Sequence, residues 1–354
     1  MKNLCFLLGG KTFLKSLFPL IVFSNSVNIK PTILCLRKRK NKKYDNLENH
    51  KDFLLKAIKR FNVNCKLLWF DRQDDILAYM LKNRLKHLVC QDAQAHGRLF
   101  CKNKNIDVYS IGIFFDTLHY ANEIRLNLVD NKNTPNIIYF PNKKFKNEFL
   151  RMTPVYDAKM KSLGSPLYDH ALFVPKQNKT KKLVTFLVTL QRLVKEELQN
   201  DLEDFMEHCT NNNIDFCIKT KARTPWNIKN KKLLEKIPAL DDEEAFPSSS
   251  AALIIISDLI ISSYSTCAIE SDYFGTPNIN LESVSQENLT YAVNSIKYDY
   301  EFSDTFNSDI CKTVSLNILK AYYTLIDKKK EPKEVLTFES NNSLRILEDI
   351  KAFL

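Results

Sequence analysis

Glycine is scarce in this sequence, with six among 354 residues. Two of them form the pair Gly9-Gly10 after the first apolar segment, but the dinucleotide-binding fingerprint needs three spaced glycines, which excludes that motif here. A glycine pair lets the backbone approach a ligand closely, and it serves a plain tight turn equally well. The pair is therefore either a ligand contact or a plain tight turn.

The N-terminus lacks the long apolar run of a leader or membrane anchor. Its residues, MKNLCFLLGGKTFLKSLFPLIVF, resemble a signal sequence, but Lys11 and Lys15 interrupt them and leave no run near the roughly 20 residues that a span needs. A strand, a glycine turn and an amphipathic helix that ends near Pro19 or shortly after explain the same residues better. We expect a cytoplasmic protein.

Motifs for metals and disulfides are missing as well. The nine cysteines form no CxxC pair, and the six histidines show no metal-ligand spacing. Asp241 and Asp242 are adjacent and do not form a spaced Asp-x-Asp pair. Cys35 and Cys217 lie in apolar, strand-like segments, so we expect reduced core thiols, no structural zinc and no bound metal.

Acidic residues are in the minority, 41 against 52 lysines and arginines, which gives a formal net charge of +11. A basic chain suits phosphate-bearing ligands, an anionic membrane or nucleic acid. No nucleic-acid module and no basic helix with interleaved aromatics is present, so we expect no nucleic-acid partner. The basic run 37–43 is either a solvated loop or a peripheral contact with an anionic membrane at its inner face.

The chain is long enough for two domains, and 44% of its residues are hydrophobic. Short apolar segments alternate with amphipathic ones, which predicts an α/β fold with two Rossmann-like domains. The predicted strands are 4–8, 31–36, 65–70, 88–90, 107–113 and 136–140 in the first half, and 183–188, 215–218, 259–261 and 278–281 in the second. Residues 285–331 are predicted to be mainly helical, and apolar spacing predicts a last helix within 336–354.

The most informative stretch is AALIIISDLIISSYSTCAIESDYFGTPNINLE at 251–282. Its apolar run 259–261 predicts a buried parallel strand, followed by a hydroxyl-rich turn and a short helix that Gly275 ends. This arrangement presents free backbone N–H groups and a positive helix end to a phosphate. A plain strand-turn-helix unit with capping hydroxyls is the alternative. Glu270, in the first turn, could accept hydrogen bonds from a ribose diol.

The part SDLIISSYSTCAIESDYFGTPNIN resembles the donor-binding segment of GT-B-type glycosyltransferases, particularly the surface-polysaccharide and CDP-glycerol glycerophosphotransferase-like group. UDP-N-acetylglucosamine 2-epimerases share the architecture and a similar segment. The resemblance implies a GT-B fold, with two Rossmann-like domains facing each other across a cleft. It also implies that Ser265 and Thr266, in a hydroxyl cluster with Ser263, meet the donor phosphates, and that Glu270 meets the ribose.

Further donor-binding candidates follow two other predicted strands. The resemblance implies that the loop after strand 183–188 holds a residue that reaches the donor phosphates, and Arg192 fits, with a solvated cation as the alternative. Three cations after strand 215–218 lie where ligands collect in open α/β sheets and could stabilise a departing phosphate. They are Lys219, Lys221 and Arg223.

The first half is expected to be the acceptor domain, at 1–173, followed by a nucleotide-donor domain at 174–335 and a helix at 336–354 that crosses back to the first domain. The resemblance implies that the LGSPLYD segment closes the first domain. It also implies that Gly9, Gly10 and Lys11 face the cleft on the acceptor side. A general base is expected from the loop after strand 107–113, as either Asp116 or His119.

These features predict a metal-independent transferase without a cofactor. Its donor would be a UDP- or CDP-linked sugar, or a CDP-polyol, and its acceptor a surface glycan or a lipid-linked glycan. Two other functions stay open. One is a nucleotide-sugar 2-epimerase, which needs carboxylates and a histidine converging on the sugar, and the other is a non-catalytic nucleotide-sugar binding protein.

Overall fold

The computed structural model of the chain divides into two compact units. Unit 1 comprises Met1–His170 and Leu336–Leu354, and unit 2 comprises Ala171–Val335. The structure describes residues 2–37, 46–112, 134–153, 158–174, 180–188, 196–219, 249–263, 267, 270–271, 274–281, 309–311, 315–329 and 341–354. The last helix of the chain thus belongs to unit 1, although unit 2 separates it in sequence from the rest of that unit.

Unit 1 is built on a parallel sheet of seven strands. The strands are β1 Lys2–Leu8, β2 Ile29–Leu36, β3 Lys66–Phe70, β4 His87–Gln91, β5 Asp107–Ile111, β6 Ile137–Phe140 and β7 Lys159–Ser162. Their order is β3-β2-β1-β4-β5-β6-β7, so the direction of winding reverses between β1 and β4. In open α/β sheets, ligands bind at the carboxyl ends of the strands at this switch point.

Unit 2 contains a parallel sheet of five described strands. They are β8 Leu183–Val188, β9 Asp215–Ile218, β10 Leu259–Ser263, β11 Asn278–Leu281 and β12 Asp309–Cys311. The order β12-β11-β10-β8-β9 places its switch point between β8 and β10. The core packs the sheet against helices, with Phe186, Phe205, Phe216 and Ile261 all buried. Both units therefore confirm the predicted α/β class.

Helices connect and cover the strands. They are α1 Lys11–Ser24, α2 Lys51–Arg60, α3 Gln73–Lys82, α4 Ala93–His96, α5 Arg98–Cys101, α6 Lys143–Met152, α7 Glu196–Asn211, α8 Ser249–Ile256, α9 Ser315–Leu325 and α10 Asn342–Lys351, with 3-10 helices at Asn25–Val27, Leu47–His50 and Pro166–Leu172. None of the helices in the described ranges is long and apolar enough to cross a membrane.

Three elements differ from the sequence-based expectations. Helix α1 continues through Pro19 to Ser24, because buried Leu20 and Ile21 extend its apolar face beyond the proline. Strand β7, KMKS, was not predicted. It is a half-exposed edge strand, so its sequence shows no alternation of apolar and polar residues by which a strand could be recognised. Strand β12 lies inside the stretch predicted to be mainly helical.

Candidate functional site

The switch point of unit 2 brings together the ends of the two strands that precede two of the predicted donor-binding segments. Val188 and Ser263, the last residues of β8 and β10, are partners in the parallel register. Neighbouring strands lie about 4.8 Å apart, so these two strand ends lie side by side at the carboxyl edge of the sheet. The side chain of Ser263 and the whole of Arg192, Ser265 and Thr266 fall outside the described residues.

The segment after β10 contains the predicted short helix. Cys267, Glu270 and Ser271 are helical, and the Ser271 hydroxyl donates to the Cys267 carbonyl at 2.5 Å. Gly275 has a left-handed φ of 70°, and the Thr276 N–H donates to the Ser271 carbonyl at 2.8 Å. This closing pattern is the glycine-dependent C-terminal cap of a helix. The predicted stop at Gly275 is thus confirmed.

Glu270, in this helix, is buried, with a relative exposure of 3%. A buried carboxylate is strongly unfavourable unless it is hydrogen-bonded or paired with positive charge. Its position one turn into the helix is the one that the resemblance implies for contact with a ribose. Contact of this carboxylate with a ribose stays a prediction.

The strand end beside Glu270 is held from two sides by buried polar groups. The Ser262 hydroxyl and the Asn278 amide Nδ2 lie 3.0 Å apart and link β10 to β11. The Thr276 hydroxyl donates to the Ile254 carbonyl of α8 at 2.8 Å. These contacts fix the backbone that leads into the hydroxyl-rich turn, as a binding site built on rigid elements requires.

Lys219 is the predicted donor-side cation that the structure describes. It follows β9 directly, is half-buried, and its N–H donates to the Phe186 carbonyl of β8 at 2.9 Å. Its positive charge partly offsets the burial that raises the pKa of the Cys217 thiol. Lys219 therefore lies at the carboxyl edge of the sheet, beside β8. Lys221 and Arg223 fall outside the described residues.

The switch point of unit 1 contains the predicted glycine pair. Leu7 of β1 and Cys90 of β4 are partners in register, so Gly9-Gly10 follows the strand next to β4. Both glycines are buried, and a Cβ at Gly9 would lie 2.7 Å from the ring of Phe13. Packing against this ring explains why position 9 is glycine. Lys11, the first residue of α1, is half-buried.

Asp92 is a candidate that the sequence analysis missed. It directly follows β4 at the switch point, is fully buried, and has left-handed backbone angles, φ 41° and ψ 58°. Such a conformation costs a residue other than glycine on the order of 1 to 2 kcal/mol, and strained residues concentrate at functional sites. An aspartate two residues after the predicted strand 88–90 was the signal available in the sequence.

His96 lies one helical turn after Asp92 and reaches the start of α1. Its ring centroid is 5.1 Å from that of Phe13, and its carbonyl accepts a hydrogen bond from Gln73 Nε2 at 2.8 Å. The structure thus brings a carboxylate, an imidazole and the glycine turn to one switch point. Asp116 and His119, predicted as the general base, fall outside the described residues.

The described residues provide no group of three or more His, Cys, Asp or Glu side chains that could hold a metal ion. Eight cysteines are free, and the side chain of the ninth, Cys311, falls outside the described part of the chain. Burial raises the pKa of the thiols of Cys5, Cys101 and Cys209 to about 12. These three thiols stay protonated at neutral pH and serve the core.

Comparison with known proteins identifies the fold. Neither a family model nor a curated protein sequence matches the chain. Among solved structures, the UDP-GlcNAc 2-epimerase from Methanocaldococcus jannaschii is similar with a TM-score of 0.65 and 17% identity, over 99% of both chains. The enzyme from Neisseria meningitidis, solved with bound UDP-GlcNAc, has a TM-score of 0.61 and 13% identity, over 99% of this chain and 100% of that one.

A glycotransferase of kitacinnamycin is also similar, with a TM-score of 0.53 and 9% identity, over 99% of both chains. At these identities the likeness shows a shared architecture, because one fold supports many activities. The chain has the GT-B type of fold with two Rossmann-like domains, as predicted. The glycerophosphotransferase-like part of the sequence resemblance stays an expectation.

Proposed function

We propose that this protein is an enzyme of nucleotide-linked sugars, and that its reaction is of the UDP-N-acetylglucosamine 2-epimerase type. The observation that carries the proposal is the whole-length similarity to 2-epimerases, at TM-scores of 0.65 and 0.61 against 0.53 for the glycotransferase. The buried Glu270 beside the switch point of unit 2 supports it. This proposal changes the order of the two activities that the sequence suggested.

We assign the nucleotide to unit 2. Glu270 would accept hydrogen bonds from the ribose, and the helix that follows β10 would direct its positive end to the diphosphate, with Ser263, Ser265 and Thr266 as hydroxyl donors. Lys219 lies at the same edge of the sheet and would offset the phosphate charge, together with Arg192, Lys221 and Arg223. A UDP-linked sugar is the preferred ligand, since one neighbour was solved with UDP-GlcNAc.

We assign the acid–base chemistry to the switch point of unit 1. For inversion at C2, one group removes the C2 proton, the electron pair forms a C1–C2 double bond, and UDP leaves from C1. UDP then bonds to C1 again while a second group returns a proton to C2 on the opposite face. Asp92 and His96 are a carboxylate and an imidazole on successive turns beside Gly9-Gly10. They extend the earlier candidates Asp116 and His119. The proposed reaction uses neither a metal nor a cofactor.

Incubation with UDP-GlcNAc in deuterated water tests the proposal. An epimerase forms the C2 epimer and places solvent deuterium at C2, and both are visible by NMR. The variant Asp92→Asn should abolish the exchange, and Glu270→Ala should slow it at low UDP-GlcNAc concentration, while a surface variant such as Lys59→Ala should do neither. If the wild-type protein fails to bind UDP or UDP-GlcNAc, the proposal is wrong.

A glycosyltransferase is the second candidate, because the kitacinnamycin glycotransferase shares the fold over the whole chain. Its reaction would release the nucleotide only when a glycan or lipid-linked acceptor is present, without deuterium at C2. A nucleotide-sugar binding protein would bind UDP-GlcNAc and show neither product. The same NMR experiment, run with and without acceptor glycans, therefore separates the three functions.

A further inference from the structure

Two adjacent buried polar residues in unit 1 have no part in the proposed chemistry. Asp169 and His170 lie in the 3-10 helix Pro166–Leu172, with relative exposures of 0% and 2%. Asp169 is the last residue of the LGSPLYD segment, and His170 follows it. Buried side chains of this kind need hydrogen-bonding partners. Each of the two finds its partner on a different helix.

Asp169 binds the start of α10. The N–H groups of Asn342 and Ser343 donate to its two carboxylate oxygens at 3.2 and 2.7 Å, and the Ser343 hydroxyl adds a bond of 2.5 Å. The next two N–H groups of the helix donate to the capping residue Asn341. All four donors of the first turn are therefore satisfied, and a carboxylate lies at the positive end of the helix.

His170 binds the middle of α1. Pro19 has no N–H, so the Lys15 carbonyl four residues earlier lacks its helical donor. The Nε2 atom of His170 lies 2.7 Å from that carbonyl oxygen. A carbonyl only accepts, so Nε2 carries the hydrogen. Burial lowers the pKa of His170 to about 4, which keeps the ring neutral at physiological pH. The imidazole thus replaces the donor that Pro19 removed.

We infer that Asp169 and His170 are positioning residues that hold α1 against α10 and thereby fix the Gly9-Gly10 turn from which α1 begins. The two helices are in contact, and α10 buries Leu344, Ile346, Leu347 and Ile350. Helix α1 also carries two contacts to the candidate site. Ser16 donates to Gln91 at 2.6 Å, and Phe13 packs on His96. A shift of α1 would therefore reach the proposed acid–base groups, and this consequence rests on the proposed function.

A double-mutant cycle in the full-length protein tests the link between His170 and Pro19, with hydrogen exchange read by peptide. His170→Phe leaves a buried carbonyl without a donor, so peptides covering 11–24 should lose about tenfold or more in protection. Pro19→Ala returns an N–H to the Lys15 carbonyl. In that background His170→Phe should cost less than about threefold.

His208→Phe in unit 2 is the matched control and should leave exchange of 11–24 unchanged. His170→Gln keeps an amide donor, so it should lose less protection than His170→Phe, and it replaces that variant if the latter does not fold. Unchanged exchange in His170→Phe, a loss in His170→Gln as large as that in His170→Phe, or a loss that Pro19→Ala does not reduce would overturn the inference.

Turnover separates a positioning role from general destabilisation. His170→Phe should keep the UDP affinity of the wild type but lower kcat for UDP-GlcNAc about tenfold, and Pro19→Ala should restore part of it. Equal kcat in His170→Phe and wild type would contradict the positioning role. If the wild type shows no turnover, the proposed function fails, while the exchange experiment still decides whether His170 supports α1.

Discussion

Each unit has its own parallel sheet with one switch point, but the two switch points are stabilised in different ways. In unit 2 the contacts are local, since Ser262 binds Asn278 on the adjacent strand. In unit 1 they are long-range, since Asp169 and His170 bind helices 173 and 155 residues away in sequence. The comparison teaches that the fold supplies the carboxyl edge of each sheet. The side chains at that edge, and the hydrogen bonds that hold them, decide which chemistry it can perform.

The far end of α10 strengthens this contrast. Asp349 accepts hydrogen bonds from Tyr139 of β6 at 2.8 Å and from Lys161 of β7 at 2.5 Å. Phe353 packs near Tyr109 of β5, with ring centroids 6.3 Å apart. Helix α10 is therefore bound to the rest of unit 1 at both of its ends.

Gly164→Ala should have the largest effect on this contrast. Gly164 has φ +94°, and a Cβ there would lie 1.9 Å from Oδ1 of Asn342. Because Asn342 is held by Ser165 and Asp169, we expect a loss of about 4 kcal/mol in the free energy of unfolding, measured by urea denaturation. Gly275→Ala in unit 2 introduces a side chain at a left-handed φ and should lose about 1 kcal/mol. Equal losses in both variants would contradict the long-range support of unit 1.

Acid stability should show the next largest effect. Burial raises the pKa of Asp169 to about 6, so this group adds stability as the pH falls from about 6 toward its ordinary value near 4. Burial lowers the pKa of His170 to about 4, so its contribution is present above about 6.5 and is lost as the pH falls toward 4.

The contributions of Asp169 and His170 to the free energy of unfolding change with pH in opposite directions and should nearly cancel in the wild type. Asp169→Asn removes one slope, so between pH 6.5 and 4 the variant should lose on the order of 2 kcal/mol more than the wild type. Denaturation at a series of pH values measures this difference. Parallel pH profiles for variant and wild type would show that the buried pair does not control acid stability.

Nucleotide affinity should separate the two switch points directly. Glu270→Ala should weaken UDP binding by about 2 kcal/mol, the scale of a lost charged hydrogen bond. Asp92→Asn should leave UDP affinity unchanged and remove turnover of UDP-GlcNAc. Isothermal calorimetry measures the first effect and NMR the second. UDP binding that responds to Asp92 but not to Glu270 would reverse the assignment of the two units.

Asp92→Gly should have the smallest effect on stability, with the opposite sign. Glycine adopts φ 41° without strain, and the substitution removes a buried carboxylate. We expect a gain of about 1 kcal/mol in the free energy of unfolding together with loss of turnover. This combination is typical of a strained functional residue. A destabilised variant would instead indicate that the carboxylate of Asp92 supports the fold.

Local pattern was sufficient for much of the architecture. The apolar strands around Leu259 and Leu183 were predicted from their β-branched runs, and Gly275 was recognised as the end of a helix. The left-handed backbone of Asp92 leaves no local signature, so its strain was invisible. Pro19 suggested a helix end because it lacks an N–H. The sequence did not reveal that His170, which is distant along the chain, supplies the missing donor.

The amino-acid sequence by itself determined the alternation of strands and helices and the helix end at Gly275, since each depends on residues within one or two turns. The candidate donor contacts stay predictions. Tertiary structure alone decided which strands are neighbours and that Asp92 and His96 follow the strand next to the one that leads into Gly9-Gly10. The physical reason is that hydrophobic periodicity is a local property, whereas the partner of a buried carboxylate or carbonyl is chosen by packing across the whole fold.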